Sequence, residues 1–211
     1  MPRYNPRDRF FRKAKAEGLR ARSAYKLDEI QRRWRVVPHG GRILDLGAAP
    51  GGWLQIAARE VGPRGYVLGI DLLPIPRLPG PVETWVADAL APELADRLRA
   101  EGRAPYDAVL SDLAPRTSGI READEARSLE LAERALALAL GVLEPSGSFV
   151  VKVFMGGGFE AFLRTCKASF SKVRVARPEP SLARRSREVY VVGTGSRAAR
   201  AVTEGPGGGG H

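Results

Sequence analysis

Apolar residues recur along the chain with two periods in turn, one near 3.6 and one of short buried runs. Tyr25, Leu27, Ile30 and Trp34 follow helical spacing behind Ser23, which predicts a helix over about 23–36. Gly40-Gly41 interrupts that pattern, and Ile43-Leu44-Asp45-Leu46 then reads as a short buried strand. Gly47-Ala48-Ala49-Pro50-Gly51-Gly52 is a tight turn feeding a helix that begins near Trp53. Strands are predicted at 66–71, 83–88 and 106–112, with a helix over about 92–101 before the last of these. The longest helical pattern spans 122–143 and is closed by Glu144-Pro145-Ser146-Gly147. A fifth strand at 148–153, a helix over about 158–168 and strands at 172–176 and 188–192 complete the pattern. Strands alternating with helices predict an α/β fold with a mainly parallel sheet and helices on both faces.

Length and composition narrow the class. The 211 residues, 44% hydrophobic and 27% charged, suit one globular domain and exclude wholesale disorder. No apolar run approaches the ~18–20 residues that span a bilayer, and the first residues lack an apolar signal core, so a cytoplasmic protein is expected. A single cysteine, Cys166, fits a reducing compartment, and two histidines, His39 and His211, leave no His/Cys metal cluster, so no metal is expected.

The net charge of +10 is unevenly placed. Residues 1–37 carry 12 Lys/Arg against 4 Asp/Glu, residues 38–163 carry 12 against 17, and residues 164–211 carry 10 against 3. Residues 1–20 read as a basic, flexible arm whose Arg7, Arg9, Arg12, Lys13, Lys15 and Arg20, with Arg22 just beyond, suit contact with a polyanion. A folded domain is expected over 21–195, and a disordered Gly-rich tail over 196–211. Nucleic acid is the favoured partner, because the arm lacks the apolar face that a membrane surface requires. A monomer is expected by default.

In a parallel α/β sheet, ligands bind over the carboxyl ends of the strands. Three groups suited to a cofactor fall there: the 47–52 turn, Asp71 about twenty residues on, and Asp88 at the end of the third strand. Asp71 is placed to accept hydrogen bonds from ribose hydroxyls, and Asp88 from the amino group of a base. The turn is neither a Walker A loop nor G-x-G-x-x-G, which disfavours a nicotinamide-dependent oxidoreductase. Asp45 either caps this turn or belongs to the site. A second constellation concerns lysine, of which the chain has only six among 34 cationic residues. Lys152 lies within Phe149-Val150-Val151-Lys152-Val153-Phe154, where burial disfavours an ammonium. It is either a snorkelling strand lysine or a base, a role that arginine cannot fill. Lys26 is a candidate neighbouring cation, and Asp112 and Glu188 are placed to orient both amines.

Five blocks occur in order: Arg22-Ser23-Ala24-Tyr25-Lys26-Leu27, Asp45-Leu46-Gly47-Ala48-Ala49-Pro50-Gly51-Gly52-Trp53, Ser111-Asp112-Leu113-Ala114-Pro115, the Phe149–Phe154 run, and Ser186-Arg187-Glu188-Val189-Tyr190. Together, from about residue 9 to residue 195, the chain resembles the FtsJ/RrmJ family of S-adenosylmethionine-dependent RNA 2′-O-methyltransferases. The resemblance implies a Rossmann-like methyltransferase fold whose seven-stranded sheet has one antiparallel strand. It implies a catalytic tetrad of Lys26, Asp112, Lys152 and Glu188, and cofactor contacts at Gly51, Trp53, Asp71, Asp88 and Asp112. Its most similar bacterial members methylate a uridine 2′-hydroxyl in the A-loop of 23S ribosomal RNA, on the large ribosomal subunit. A tRNA or cap 2′-O-methyltransferase, and a non-catalytic RNA-binding assembly factor, remain the rivals.

Overall fold

A computed structural model describes residues 9–178 and 187–197. Arg7, Ser186 and the expected Gly-rich tail beyond residue 197 lie outside the described residues. In chain order the elements are α1 (Arg9–Ala16), α2 (Ala24–Trp34), β1 (Arg42–Leu46), α3 (Gly52–Val61), β2 (Tyr66–Asp71), β3 (Val82–Val86), α4 (Leu94–Ala100), β4 (Tyr106–Ser111), α5 (Arg121–Val142), β5 (Leu143–Phe154), α6 (Phe159–Ser169), β6 (Phe170–Ala176) and β7 (Glu188–Ser196).

The seven strands form one sheet in the order β3-β2-β1-β4-β5-β7-β6. The ladders from β3 through β5 are parallel, while β7 runs antiparallel to both of its neighbours. The expected Rossmann-like α/β sheet with one antiparallel strand is therefore present. Because side chains alternate across a strand, the central strands feed two cores. Leu44, Leu46, Val109, Phe149 and Val151 pack with α4, α5 and α6, while Ile43, Leu110, Val150 and Tyr190 pack with α2 and α3. Cys166 is buried in the first core, where burial pushes its thiol up to about 12.

Local chemistry sets the boundaries. Helix α2 ends at Arg35 in a left-handed conformation (φ 49°), a position where glycine would be more usual. Buried Gln31 holds that turn, donating to the Val37 carbonyl at 2.8 Å and accepting from the Val37 amide at 2.9 Å. The segment 144–147, expected to be a turn, instead lies within β5: Leu143 pairs with Tyr106 and the ladder resumes at Ser148 opposite Ala108. The intervening residues bulge, with Ser146 at φ 69°. Strand β3 stops at Val86, so Asp88 lies two residues past its end rather than at it. Helix α1 falls in a stretch where the pattern predicts no element. Its end is tied to α3: Gln55 accepts from the Arg20 amide at 2.8 Å and donates to the Gly18 carbonyl at 2.9 Å.

Candidate active site

Strands β1 and β4 are adjacent, but the chain leaves them toward opposite ends of the sheet, which opens a cleft over their carboxyl ends. The same edge gathers Asp71, Asp112, the end of β5 and, because β7 is antiparallel, the beginning of β7 at Glu188. Lys152 pairs in register with Tyr190, and Phe154 with Glu188. Residues opposite one another share a face, so Lys152, Glu188 and Tyr190 all point toward the core of α2 and α3. Helix α2 brings Lys26 to them on its buried face, beside Leu27 and Ile30.

The four expected tetrad residues meet as two ion pairs. Lys26 Nζ pairs with Glu188 Oε1. Lys152 Nζ lies 3.0 Å from Asp112 Oδ1 and also donates to the Asp112 carbonyl at 2.6 Å. These side chains retain between 7% and 18% of their exposure, enough for a substrate to reach them yet low enough to strengthen the pairing over that of a surface ion pair. Tyr190 joins the pairs. Its hydroxyl donates to Asp112 Oδ1 at 2.7 Å, and Lys26 Nζ stands 5.5 Å from its ring centre. Burial, then the Asp112 and Glu188 carboxylates, hold the phenol well above its ordinary range, so it remains a neutral donor. The Trp53 ring lies 5.7 Å from that of Tyr190, tilted by 38°, and its indole N–H donates to the Ser23 carbonyl at 2.8 Å. The start of β7 is anchored from the other side by the ion pair of Arg187 with Glu125 of α5.

The acids over β1, β2 and β3 are held differently. Asp71 Oδ2 accepts the Ala49 amide at 3.0 Å and Oδ1 the Leu73 amide at 2.9 Å. Asp88 Oδ1 accepts the Leu90 amide at 2.8 Å. The turn is thus capped by Asp71 and not by Asp45, whose two carboxylate oxygens are fully buried with no hydrogen-bond partner among the described residues. Burial, then the nearby Asp112 and Asp71 charges, push the Asp45 carboxyl well above the usual carboxylate range. Gly47 (φ 75°) and Gly51 (φ 106°) shape the turn, and a Cβ at Gly47 would lie 2.6 Å from Leu113 Cδ2. Arg20 straps it down, bonding the carbonyls of Pro50 (3.3 Å), Pro76 (2.6 Å) and Arg77 (2.7 Å). Helix α3 starts directly after the turn with no side-chain cap.

A family model described as FtsJ-like methyltransferase matches residues 19–196, which contain every element of this site. The chain belongs to the FtsJ-like methyltransferase family. It is 51% identical over 199 residues to the ribosomal RNA large subunit methyltransferase E of Myxococcus xanthus (94% of this chain, 93% of that one). Identity is again 51% over 199 residues to the protein of the same name from Anaeromyxobacter sp. (94% of this chain, 72% of that one). Among solved structures, a Plasmodium falciparum protein titled a ribosomal RNA methyltransferase superposes with a TM-score of 0.74 at 24% identity, covering 86% of this chain and all of that one. An Aeropyrum pernix fibrillarin superposes with a TM-score of 0.58 at 16% identity, covering 82% and 76%. These two likenesses speak for the fold.

As an FtsJ-like methyltransferase the protein uses S-adenosylmethionine, and the residues over β1–β3 fit such a group. The donor carries an ammonium, a sulfonium, ribose hydroxyls and a base amino group. The site offers a buried carboxylate at Asp45 with no partner among the described residues, and further acids at Asp71, Asp88 and Asp112. The structure brings the four expected residues Lys26, Asp112, Lys152 and Glu188 together, but sequence reasoning gave no role to Tyr190. The available signal was its position two residues after Glu188 on an apolar strand, which puts both on one face. Trp53, expected to touch the cofactor, is buried beneath the tetrad against Tyr190. Arg20, counted with the arm, is engaged by backbone carbonyls. No cluster of metal-ligating side chains occurs among the described residues, and no described helix is long and apolar enough to cross a membrane.

Proposed function

We propose that this FtsJ-like methyltransferase transfers a methyl group to a ribose 2′-hydroxyl of ribosomal RNA, at a uridine of the A-loop on the large ribosomal subunit, acting in the cytoplasm as a monomer. The observation that carries the reading is the pair of lysine–carboxylate contacts joined at Tyr190 over the strand ends. The names of its close relatives support the substrate.

Gly51, Asp71, Asp88 and Asp112 would hold the donor, with Trp53 supporting the site from below. Bound there, S-adenosylmethionine supplies a methyl group on sulfonium sulfur that needs no further activation, so the chain's work is to position two reactants and remove one proton. Lys152 Nζ, after giving up its own proton to solvent, accepts the proton of the attacking 2′-hydroxyl. The ammonium so formed is held by the Asp112 carboxylate and carbonyl that already receive Lys152. Lys26, fixed by Glu188, presents a cation beside the same oxygen and to the adjoining phosphate. Tyr190 keeps the two pairs in register. A base so placed contributes ~10²–10⁴-fold in rate.

Transfer of labelled methyl from S-adenosylmethionine to large subunits, free ribosomal RNA and tRNA, followed by mapping of the modified nucleotide, tests the reading. Label on a ribose of large-subunit RNA is expected. Label on tRNA alone, or donor binding with no transfer to any RNA, would overturn it.

A further inference from the structure

Strand β6 closes one end of the sheet and, among the described residues, pairs only with β7, so its outer edge meets no other described strand. Its register places Lys172 opposite Thr194, Arg174 opposite Val192 and Ala176 opposite Tyr190. Alternate residues share a face, so Lys172 and Arg174 stand in one row with Ala176, on the face that carries Tyr190 and Lys152. Lys172 is exposed and Arg174 half-exposed, and neither has an acidic partner among the described residues. Several other cations are matched: Arg32 with Asp28, Arg33 with Glu29, Arg97 with Glu101 and Arg103 with Glu83. Between residues 155 and 178 the sole acid is Glu160, against Arg164, Lys167, Lys172, Arg174 and Arg177. The row ends at the active-site edge, where exposed Arg177 reaches Met155 Sδ, just past the end of β5, at 2.6 Å.

We infer that Lys172 and Arg174 form a phosphate rail that holds the substrate RNA strand on the approach to the tetrad. The proposal rests on the RNA 2′-O-methyltransferase reading and adds where the strand lies. Two residues of extended chain rise by about 6.6–6.8 Å, close to the separation of successive phosphates along one RNA strand, so the two cations can meet neighbouring phosphates. A strand held in this way, along the face that carries Tyr190, brings a following nucleotide to Lys152 and Lys26. Arginine and lysine here act as charges and carry no base readout, so the rail sets register and not sequence.

The double variant K172Q/R174Q tests this, alongside K172R/R174K, which keeps both charges, and R64E, at an exposed residue just before β2, four strands away from β7 in the sheet order. Affinity for a single-stranded RNA oligonucleotide by fluorescence anisotropy is expected to fall about tenfold in K172Q/R174Q. The slope of log affinity against log salt should lose roughly 1.4, from ~0.7 per single-strand phosphate contact. KM for the RNA substrate should rise in step, with kcat and S-adenosylmethionine affinity at parent levels. K172R/R174K and R64E should match the parent. An unchanged slope in K172Q/R174Q, an equal loss in R64E, or a fall in kcat with KM unchanged would overturn the rail. Failure of the parent to methylate RNA would instead overturn the catalytic reading, while the binding measurements would still decide the rail.

Discussion

The two halves of the carboxyl edge carry similar numbers of acids and treat them in opposite ways. Over β4, β5 and β7, Asp112 and Glu188 each hold a lysine, and the pairs are tied through Tyr190. Over β1, β2 and β3, among the described residues, Asp71 and Asp88 receive only backbone amides and Asp45 receives nothing. On the proposed function, a buried acid matched by a lysine forms a proton-handling device whose parts all come from the protein. An acid left without a cation is a site whose cation and hydroxyls arrive with the ligand. On the proposed function the difference separates chemistry from cofactor recognition along one sheet edge, and the two halves should fail differently when altered.

The largest effect is expected from Lys152→Arg. Charge survives, but a guanidinium does not give up its proton, so the device loses its acceptor. Methyl transfer at saturating donor and RNA should slow by ~10²-fold or more, with affinity for S-adenosylmethionine near the parent value. Pre-steady-state transfer isolates the step. A variant within about threefold of the parent rate would mean that the lysine half only anchors substrate, and the contrast between the halves would collapse.

How much of this contrast the sequence discloses depends on which interactions are local. Lys152 stands out because a lysine interrupts a run of Phe and Val in an arginine-rich chain, and the strand period alone then fixes its face. Lys26 lies more than half the chain away and Glu188 on a later strand, and only the family resemblance joins them to it before the topology is known. Tyr190 looks like one more apolar strand residue; its part emerges from the β5–β7 register, which no local pattern encodes. The same holds for Asp45, where sequence leaves cap and site equally open and the structure assigns the cap to Asp71 across the β1–β2 ladder. Boundaries drift for a related reason. The bulge at 144–147 carries Pro145 and Gly147 and reads as a turn, yet pairing on both sides keeps it inside β5.

On the donor side, Asp71→Ala should weaken S-adenosylmethionine binding by about ten- to a hundredfold, since a hydrogen bond to a charged group is worth roughly 1.5–3 kcal/mol. The loss has two sources here, because Asp71 also holds the Ala49 amide of the 47–52 turn and the Leu73 amide just past β2. Asp71→Asn keeps one acceptor and should lose less. Calorimetric titration measures both, and transfer at saturating donor should remain near the parent rate. An unchanged affinity would remove Asp71 from the donor half, and a rate loss at saturation would mean the two halves are not separable.

The smallest effect, and the one that most sharpens the comparison, concerns Asp45 in the ligand-free protein. Its carboxyl is raised above the usual range by burial first and then by Asp112 and Asp71, so folding favours its protonated form. A group raised in this way contributes stability that is full below the ordinary carboxylate value of about 3.9 and is lost as pH rises through the higher folded-state value. At neutral pH the ligand-free protein therefore carries a destabilising buried acid that no cation among the described residues offsets. Asp45→Asn removes the charge at nearly constant volume. Thermal unfolding without ligand should shift upward at pH 7 by roughly 2–4 °C, the scale of about 1 kcal/mol in a domain of this size. The gain should shrink as the pH falls toward 4, because the parent carboxyl then becomes neutral too. With saturating S-adenosylmethionine the order should narrow or reverse, since the parent acid gains a cationic ligand that the amide cannot match. A variant no more stable than the parent at pH 7, with the same dependence on pH, would show that Asp45 is already satisfied within the protein, and the donor half would then be as self-contained as the tetrad.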